Sequence, residues 1–324
     1  MGWSELHARV HQRLKRYGLL PLNQRLLLAV SGGQDSLCLG RLLVDLRSKW
    51  HWHVAIAHCD HGWSGDGEIA THVEAVAKVW DLPFYLCSTS ATIPETEAAA
   101  RQWRYESLTA LAMAEDFGIL VTGHTQSDRA ETLLYNLVRG SGAAGMGALT
   151  WRRSLTPSLT LVRPLLDITR VETAAFCDQF SLPVYDDQYN QNLKFARNRL
   201  RHNVFPQLKV INPRMEKHLA HTAEILHRED DYLEAIAAKH LQFATKQQER
   251  LYRPDLQPLH PALQWRIVRQ FLTKHLLKMP NYQQIEAVVC LITAPNKSQT
   301  SSFSQNISVC VQEDWITLHM NRET

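Results

Sequence analysis

The sequence predicts an α/β protein: a parallel sheet with helices on both faces, followed by a smaller, mainly helical domain. Three observations carry this. Short apolar runs without strict alternation recur through the first half of the chain, and amphipathic segments of helical length separate them. Beyond about residue 215 the pattern changes to long helical stripes. At 324 residues and 45% hydrophobic, the chain is long enough for two cores, divided here as 1–214 and 215–324.

The elements follow in order. Residues 26–30 form a first buried strand and 37–46 a helix. Strands are expected at 53–57, 83–87 and 118–122, with helices at 68–80 and 95–116 between them. Ligands of such Rossmann-like sheets sit outside the carboxyl ends of the strands, where Ser31, His58, Ser88 and Gly123 fall. In the second part, Leu219, Ile225, Leu226, Leu233, Ile236 and Leu241 form an apolar stripe on a long helix. Leu263, Ile267, Phe271 and His275 repeat at four-residue spacing on another, and 282–292 suggests a third. A small hairpin is expected from 306–311 and 315–318, with Glu313-Asp314 at its turn.

The first strand feeds Ser31-Gly32-Gly33-Gln34-Asp35-Ser36 at a helix start. Two glycines let successive backbone N–H groups turn toward one anion, and the helix start adds unpaired donors and partial positive charge. Ser31 and Ser36 add hydroxyls, and Ser36 is a good N-cap type. A carboxylate facing phosphate repels it unless a cation intervenes, so Asp35 suggests magnesium. After the fourth strand, Asp128 and Glu131 lie three apart on one helix face, with Ser127 or Asp128 as the cap; the pair can hold magnesium or act on a proton. Arg101 and Arg104 share another face. The acid-free segment 194–215 interleaves Lys194, Arg197, Arg199, Arg201, Lys209 and Arg214 with Phe195 and Phe205, a local patch suited to polyphosphate or an RNA backbone.

Other classes are disfavoured. The chain contains no G-x-x-x-x-G-K-[ST], which removes the P-loop kinases and GTPases. Gly140-Ser141-Gly142-Ala143-Ala144-Gly145 matches G-x-G-x-x-G but follows a helix, so it reads as a glycine-rich loop gating the site rather than a dinucleotide fingerprint. Residues 58–62 (HCDHG) fit a loop lining the nucleotide pocket better than a zinc site, since no partner cluster follows. Six cysteines without C-x-x-C argue against a disulfide scaffold or an iron–sulfur site, and a net charge of +3 gives no global polyanion signature. With no secretory signal, membrane span or myristoylation pattern, a cytoplasmic location is expected.

S-G-G-x-D-S resembles the PP-loop of the ATP pyrophosphatases, which cleave ATP between its α and β phosphates. With HCDHG (58–62), EAAAR (97–101), TGHTQSDRAET (122–132), RGSG (139–142), RPLL (163–166) and DDQYNQNLKFARNRLR (186–201), the chain resembles the tRNA(Ile)-lysidine synthetase (TilS) family over most of 25–205. The family often has His-His-x-Asp-Asp where this chain has His124-Thr125-Gln126-Ser127-Asp128, so Asp128 and Glu131 carry over and position 127 does not. The resemblance implies ATP-dependent ligation of L-lysine to C2 of the wobble cytidine of the isoleucine tRNA with a CAU anticodon, through an adenylated cytidine. It implies that Ser31, Gly32, Gly33, Gln34, Asp35 and Ser36 bind ATP and that Asp35 and Asp128 hold Mg2+. Asp35, Arg101, Asp128, Glu131 and Arg197 would be the catalytic set. Glu131 would position or deprotonate lysine, and Arg101 and Arg197 would stabilise the phosphoryl group in transfer. The helical part would grip tRNA, a further C-terminal domain of longer members would be missing, and a homodimer is the expected assembly. A tRNA 2-thiolase of the same superfamily is the nearest alternative, and a non-catalytic tRNA-binding protein a more distant one.

Overall fold

A computed structural model describes residues 2–63, 66–89, 93–185, 192–245, 249–303 and 307–320. Asn190 and the rest of 186–191, within the last family-like stretch, lie outside the described residues, as does Asn306 of the expected hairpin.

The chain divides into two compact units, Met1–His227 and Arg228–Thr324. The first begins with α1 (Glu5–Tyr17) and continues β1 (Arg25–Ala29), α2 (Gln34–Trp50), β2 (His53–Asp60), α3 (Asp66–Val79), β3 (Phe84–Ser88), α4 (Glu97–Ala114), β4 (Ile119–Thr122) and α5 (Gln126–Val138). Then come the short α6 (Ala143–Met146), β5 (Arg152–Ser154), β6 (Thr160–Val162), α7 (Arg170–Gln179), α8 (Ala196–Arg199), a π-helical turn at Leu200–Val204 and α9 (Phe205–Ile211). The sheet order is β3-β2-β1-β4-β6-β5. All neighbours are parallel except β5, which returns antiparallel on β6 at the edge.

The lack of strict alternation in the strands has its reason in two buried faces. Leu26 and Leu28 of β1 join Val54, Ile56, Ile119 and Val121 in one core with α2 and α3. Leu27 points the other way, joining Ala55, Ala57, Leu120 and Leu161 under Leu108 and Ala112 of α4. Apolar burial of this kind contributes about 25 cal/mol per Å2, so each fully buried leucine stabilises the sheet by about 2 kcal/mol. Strand order reverses between β1 and β4, opening a crevice at their carboxyl ends.

The boundary between the units falls inside the 31-residue helix α10 (Met215–Thr245), later than the 214/215 division expected from the stripe pattern. The first turns of α10 belong to the first unit because Glu216 and Glu224 bind Ser127 and Arg129 of α5. The expected stripe also shifts. Ile225 is exposed, and alanines Ala220, Ala223, Ala237 and Ala244 form the buried line with Leu241.

The second unit adds β7 (Arg250–Tyr252), α11 (Arg253–Leu256), α12 (Pro261–His275), α13 (Tyr282–Cys290), β8 (Ile307–Gln312) and β9 (Trp315–Met320). Its antiparallel sheet, in the order β7-β9-β8, closes on Ile267, Phe271 and Ile285 of the helices. Glu313, at φ +56°, makes the hairpin turn. Among the described residues no helix is long and apolar enough to cross a membrane.

Candidate active site

The turn after β1 is built as its composition demands. Gly32 has φ +84°, and a Cβ there would also press on Ile69 at 3.2 Å. The helix cap is Gly33, with no side-chain cap, so Ser36 is not the N-cap expected from its type. Its hydroxyl instead donates to the Gly33 carbonyl (2.9 Å) and accepts from the Ser31 amide (3.2 Å), closing the turn on itself. Gln34 turns its side chain away, donating to the Arg170 carbonyl at 2.8 Å and to Thr173 Oγ1 at 3.0 Å. The segment after β4 abuts this turn. A Cβ on Gly123 would lie 2.8 Å from the Asp35 carbonyl oxygen, so only glycine permits the two backbones to meet. His58 supports the same turn from β2, its Nδ1 2.8 Å from the Val30 carbonyl.

Helix α5 starts with a capping box in which Thr125 is the cap and Asp128 its partner, rather than Ser127 or Asp128 being the cap. Asp128 Oδ2 accepts from the Thr125 amide and hydroxyl, both at 2.8 Å, which aims Oδ1 at Arg170. Helix α7 starts with the same device, Thr169 and Glu172, and so presents Arg170 in its first turn. The Arg170 guanidinium lies 3.1 Å from Asp35 Oδ2, 2.7 Å from Asp128 Oδ1 and 3.5 Å from Glu131 Oε1. Thr173 also donates to Asp35. Glu131, 3% exposed, is gripped in bidentate fashion by Arg201 at 2.8 and 2.9 Å.

Three carboxylates thus meet two guanidiniums at the reversal of strand order. Burial pushes the Asp35 carboxyl above its ordinary range, with the Asp128 charge adding to this and Arg170 opposing it. Burial also works to raise Asp128, but Arg170, His124 and the Thr125 hydrogen bonds overcome it and hold that carboxyl at about 2. A second set of charges lies alongside. His124 is pushed down to about 3 by burial and by the nearby Arg163, Arg101 and Arg104 guanidiniums, so its imidazole is neutral at pH 7. Arg101 is itself lowered by burial and by Arg197, Arg104 and Arg153, and its guanidinium stacks on Tyr105 at 5.1 Å. Crowded, partly desolvated arginines of this kind favour an anionic ligand.

The structure therefore gathers Asp35, Asp128 and Glu131, with Arg101 on the arginine side of the same edge. Arg197 is placed differently from Arg201, pairing with Glu97 (2.9 Å) and lying over the Tyr135 ring. Sequence reasoning passed over Arg170, whose one local signal is the T-x-x-E box that starts its helix. Ser127, expected as a possible cap, is instead buried, donating to Glu216 at 2.7 Å and accepting from the Arg170 amide. The expected glycine-rich gate at 140–145 is a folded turn with α6, clasped by Asn136 donating to the Gly145 carbonyl. As to magnesium, Asp35 and Asp128 offer hard oxygens converging on one positive charge beside a phosphate-shaped turn. That donor set fits the ion, with Arg170 supplying the compensating charge in this structure.

Comparison with known proteins adds the following. A family model described as a PP-loop domain matches residues 5–208, and one described as the TilS substrate binding domain matches 251–314. A tRNA(Ile)-lysidine synthase of a Nostoc species is 47% identical over 98% of this chain and 98% of its own length. One from a Synechococcus species is 50% identical over 98% of this chain and 97% of its own. A chloroplastic tRNA(Ile)-lysidine synthase of Zygnema circumcarinatum is 33% identical, covering 93% of this chain and 83% of its own. Among solved structures, the U34-tRNA thiolase NcsA from Methanococcus maripaludis, with its 4Fe–4S cluster, aligns with TM-score 0.60 at 16% identity. That alignment covers 69% of this chain and 78% of the thiolase, a likeness of fold.

Proposed function

The chain belongs to the tRNA(Ile)-lysidine synthase family, and from that premise we propose how its residues divide the work of this ATP-dependent ligase. The observation that carries the reading is the convergence of Asp35, Asp128 and Glu131 on Arg170 beside the glycine turn. The backbone of residues 31–36 cradles the ATP phosphates, and the C2 oxygen of the wobble cytidine attacks the α-phosphorus. Arg101 and Arg197 stabilise the charge that grows on the phosphoryl oxygens as pyrophosphate leaves. Asp35 and Asp128 would hold magnesium, which when bound supplies charge neutralisation for the leaving phosphates. Glu131, oriented by Arg201, positions the lysine ε-amine or takes its proton as the amine adds at C2, and AMP departs.

Charged arginines and lysines of 194–214, together with the second unit, are assigned the grip on a tRNA whose anticodon is CAU. A cytoplasmic location and a homodimer belong to the same reading, the latter measurable by analytical ultracentrifugation. Incubation of unmodified tRNA with ATP and labelled lysine tests the whole. Label at C2 of the cytidine is the expected result; no label there, with sulfur at C2 when a sulfide donor is added, would overturn the reading in favour of thiolation. Glu131→Gln is expected to retain pyrophosphate release while incorporating at least tenfold less lysine. A matched loss of both would move Glu131 from the lysine step to metal or ATP.

A further inference from the structure

The carboxyl ends of β2 and β3 carry a pair of thiols that the reaction above does not use. Cys59 and Cys87 are register partners on adjacent parallel strands, so their side chains leave the same face of the sheet. Strands stand about 4.8 Å apart, within the Cα separation of about 4.4–6.8 Å that a disulfide spans. Each thiol shifts the titration of the other, as adjacent thiols do. Both residues are half-buried, whereas Cys38 and Cys177 are buried.

The chemistry of the pair is asymmetric. The hydrogen bond from Cys59 lowers the Cys87 thiol below its ordinary value, against the effect of burial. The same bond, with burial, raises Cys59 despite the nearby Arg104. Burial pushes Cys177 up to about 12 and Cys38 higher still, leaving both inert. The lowered thiol, Cys87, is the candidate attacking sulfur and Cys59 the candidate resolving one.

Position links the pair to the catalytic edge. Cys59 sits between His58, whose ring holds the Val30 carbonyl just before the phosphate turn, and Asp60, whose carboxylate accepts from the Gly62 amide at 2.8 Å. Drawing Cys59 toward β3 pulls on that support.

We propose that Cys59 and Cys87 form a reversible intramolecular disulfide by exchange with a small-molecule disulfide, and that closing it slows adenylation. The Cys87 thiolate attacks one sulfur of the reagent, and the first reagent thiolate leaves. Cys59 gives up its proton and attacks the Cys87 sulfur of the mixed disulfide, expelling the second. Two protein thiols become one disulfide while one reagent disulfide becomes two thiols. A cross-strand bond of this kind is of the strained, reducible class.

The probe is oxidised glutathione, applied to the folded full-length chain, followed by acid quenching and peptide mapping. The expected product is a peptide linked through Cys59 and Cys87, two hydrogens lighter, formed before any adduct at Cys38 or Cys177 and reversed by dithiothreitol. Cys59→Ser should stop at a glutathione adduct on Cys87, and Cys87→Ser should slow reaction at Cys59 at least tenfold. A wild-type chain that keeps glutathione on Cys87 without forming the link would overturn the proposal. So would a Cys87→Ser chain reacting at Cys59 as fast as wild type.

The kinetic half rests on the adenylation reading. Pyrophosphate release should fall at least threefold as the link forms and return with dithiothreitol. The Cys59→Ser/Cys87→Ser double variant, whose exposed Cys290 still meets the reagent, should keep its own starting rate through the treatment. Linked protein with an unchanged rate would overturn the coupling, whereas failure of the adenylation reading would show separately, as absent lysine incorporation by untreated enzyme.

Discussion

Arg170, half-buried, and Arg253, buried, each stand at the start of a helix, one in each unit, and they do opposite things. Arg253 donates to three backbone carbonyls, Ile292 at 3.0 Å, Glu313 at 3.1 Å and Ala294, and so fastens the end of α13 to the hairpin turn. Arg170 donates to carboxylates from α2 and α5. Carbonyls are neutral, fixed and already part of the backbone, so the bonds of Arg253 do nothing but hold. Carboxylates carry charge that a metal ion or an ammonium group can claim, so the bonds of Arg170 are exchangeable. A buried charge alone does not mark a site; a buried charge whose partners can be claimed by a ligand does.

The strongest test of this contrast is Asp35→Asn. Pyrophosphate release should fall about a thousandfold, in line with the loss of a key electrostatic group. The melting temperature should hardly move, because burial already favours the neutral form at this position. A variant with near-normal release would remove Asp35 from the chemistry. Next is Arg170→Met, which strips the shared guanidinium from three carboxylates and should cost about 3–5 kcal/mol of stability. If those carboxylates accept a divalent cation, added magnesium should raise the melting temperature of the variant more than that of the parent. Equal responses would break the assignment of Asp35 and Asp128 to the metal.

The matched control is Arg253→Met, expected to cost about 3 kcal/mol through the carbonyls it leaves unpaired. Calorimetric titration should show ATP binding intact, and magnesium should recover none of the lost stability. Recovery there would erase the distinction between the two arginines. The smallest effect is in acid. Asp128, lowered to about 2 against roughly 3.9 when unfolded, adds about 2 kcal/mol that is fully present above pH 4 and lost as pH falls through 2. Asp35 is raised, so its contribution runs the other way and grows on acidification. Urea titrations between pH 5 and 2.5 should therefore show a flatter decline for Asp128→Asn than for the parent.

How much of this could be read beforehand depends on how local each signal is. Strands β1 to β4 were legible because each is an apolar run between helical stretches. Strands β5 and β6, three residues each, are too short to leave such a run. The phosphate turn was legible because glycines, a serine and an acid fall within six residues. Arg170 was not, since its meaning lies in Asp35, 135 positions away, and Asp128, 42 positions away. The arginine patch at 194–214 was visible as composition, but which arginine meets Glu131 depends on the path of the backbone through α8 and the π-helical turn, and that falls to Arg201. The alanine line of α10 escaped a search for large apolar side chains, although close helix packing favours small ones. The thiol pair has no sequence pattern, because register between two strands creates it.

The long separations within the carboxylate cluster bear on how the protein comes into being on the ribosome. Glu131 is made 70 residues before Arg201. At about 5–20 residues per second, that acid waits several seconds for its partner, and Asp35 waits longer for Arg170. During that interval β1 to β4 can pair, but Asp35, Asp128 and Glu131 lack first Arg170 and then Arg201, the guanidiniums they meet in the folded protein. The carboxylate cluster therefore has its full set of partners only once Arg201 has been made.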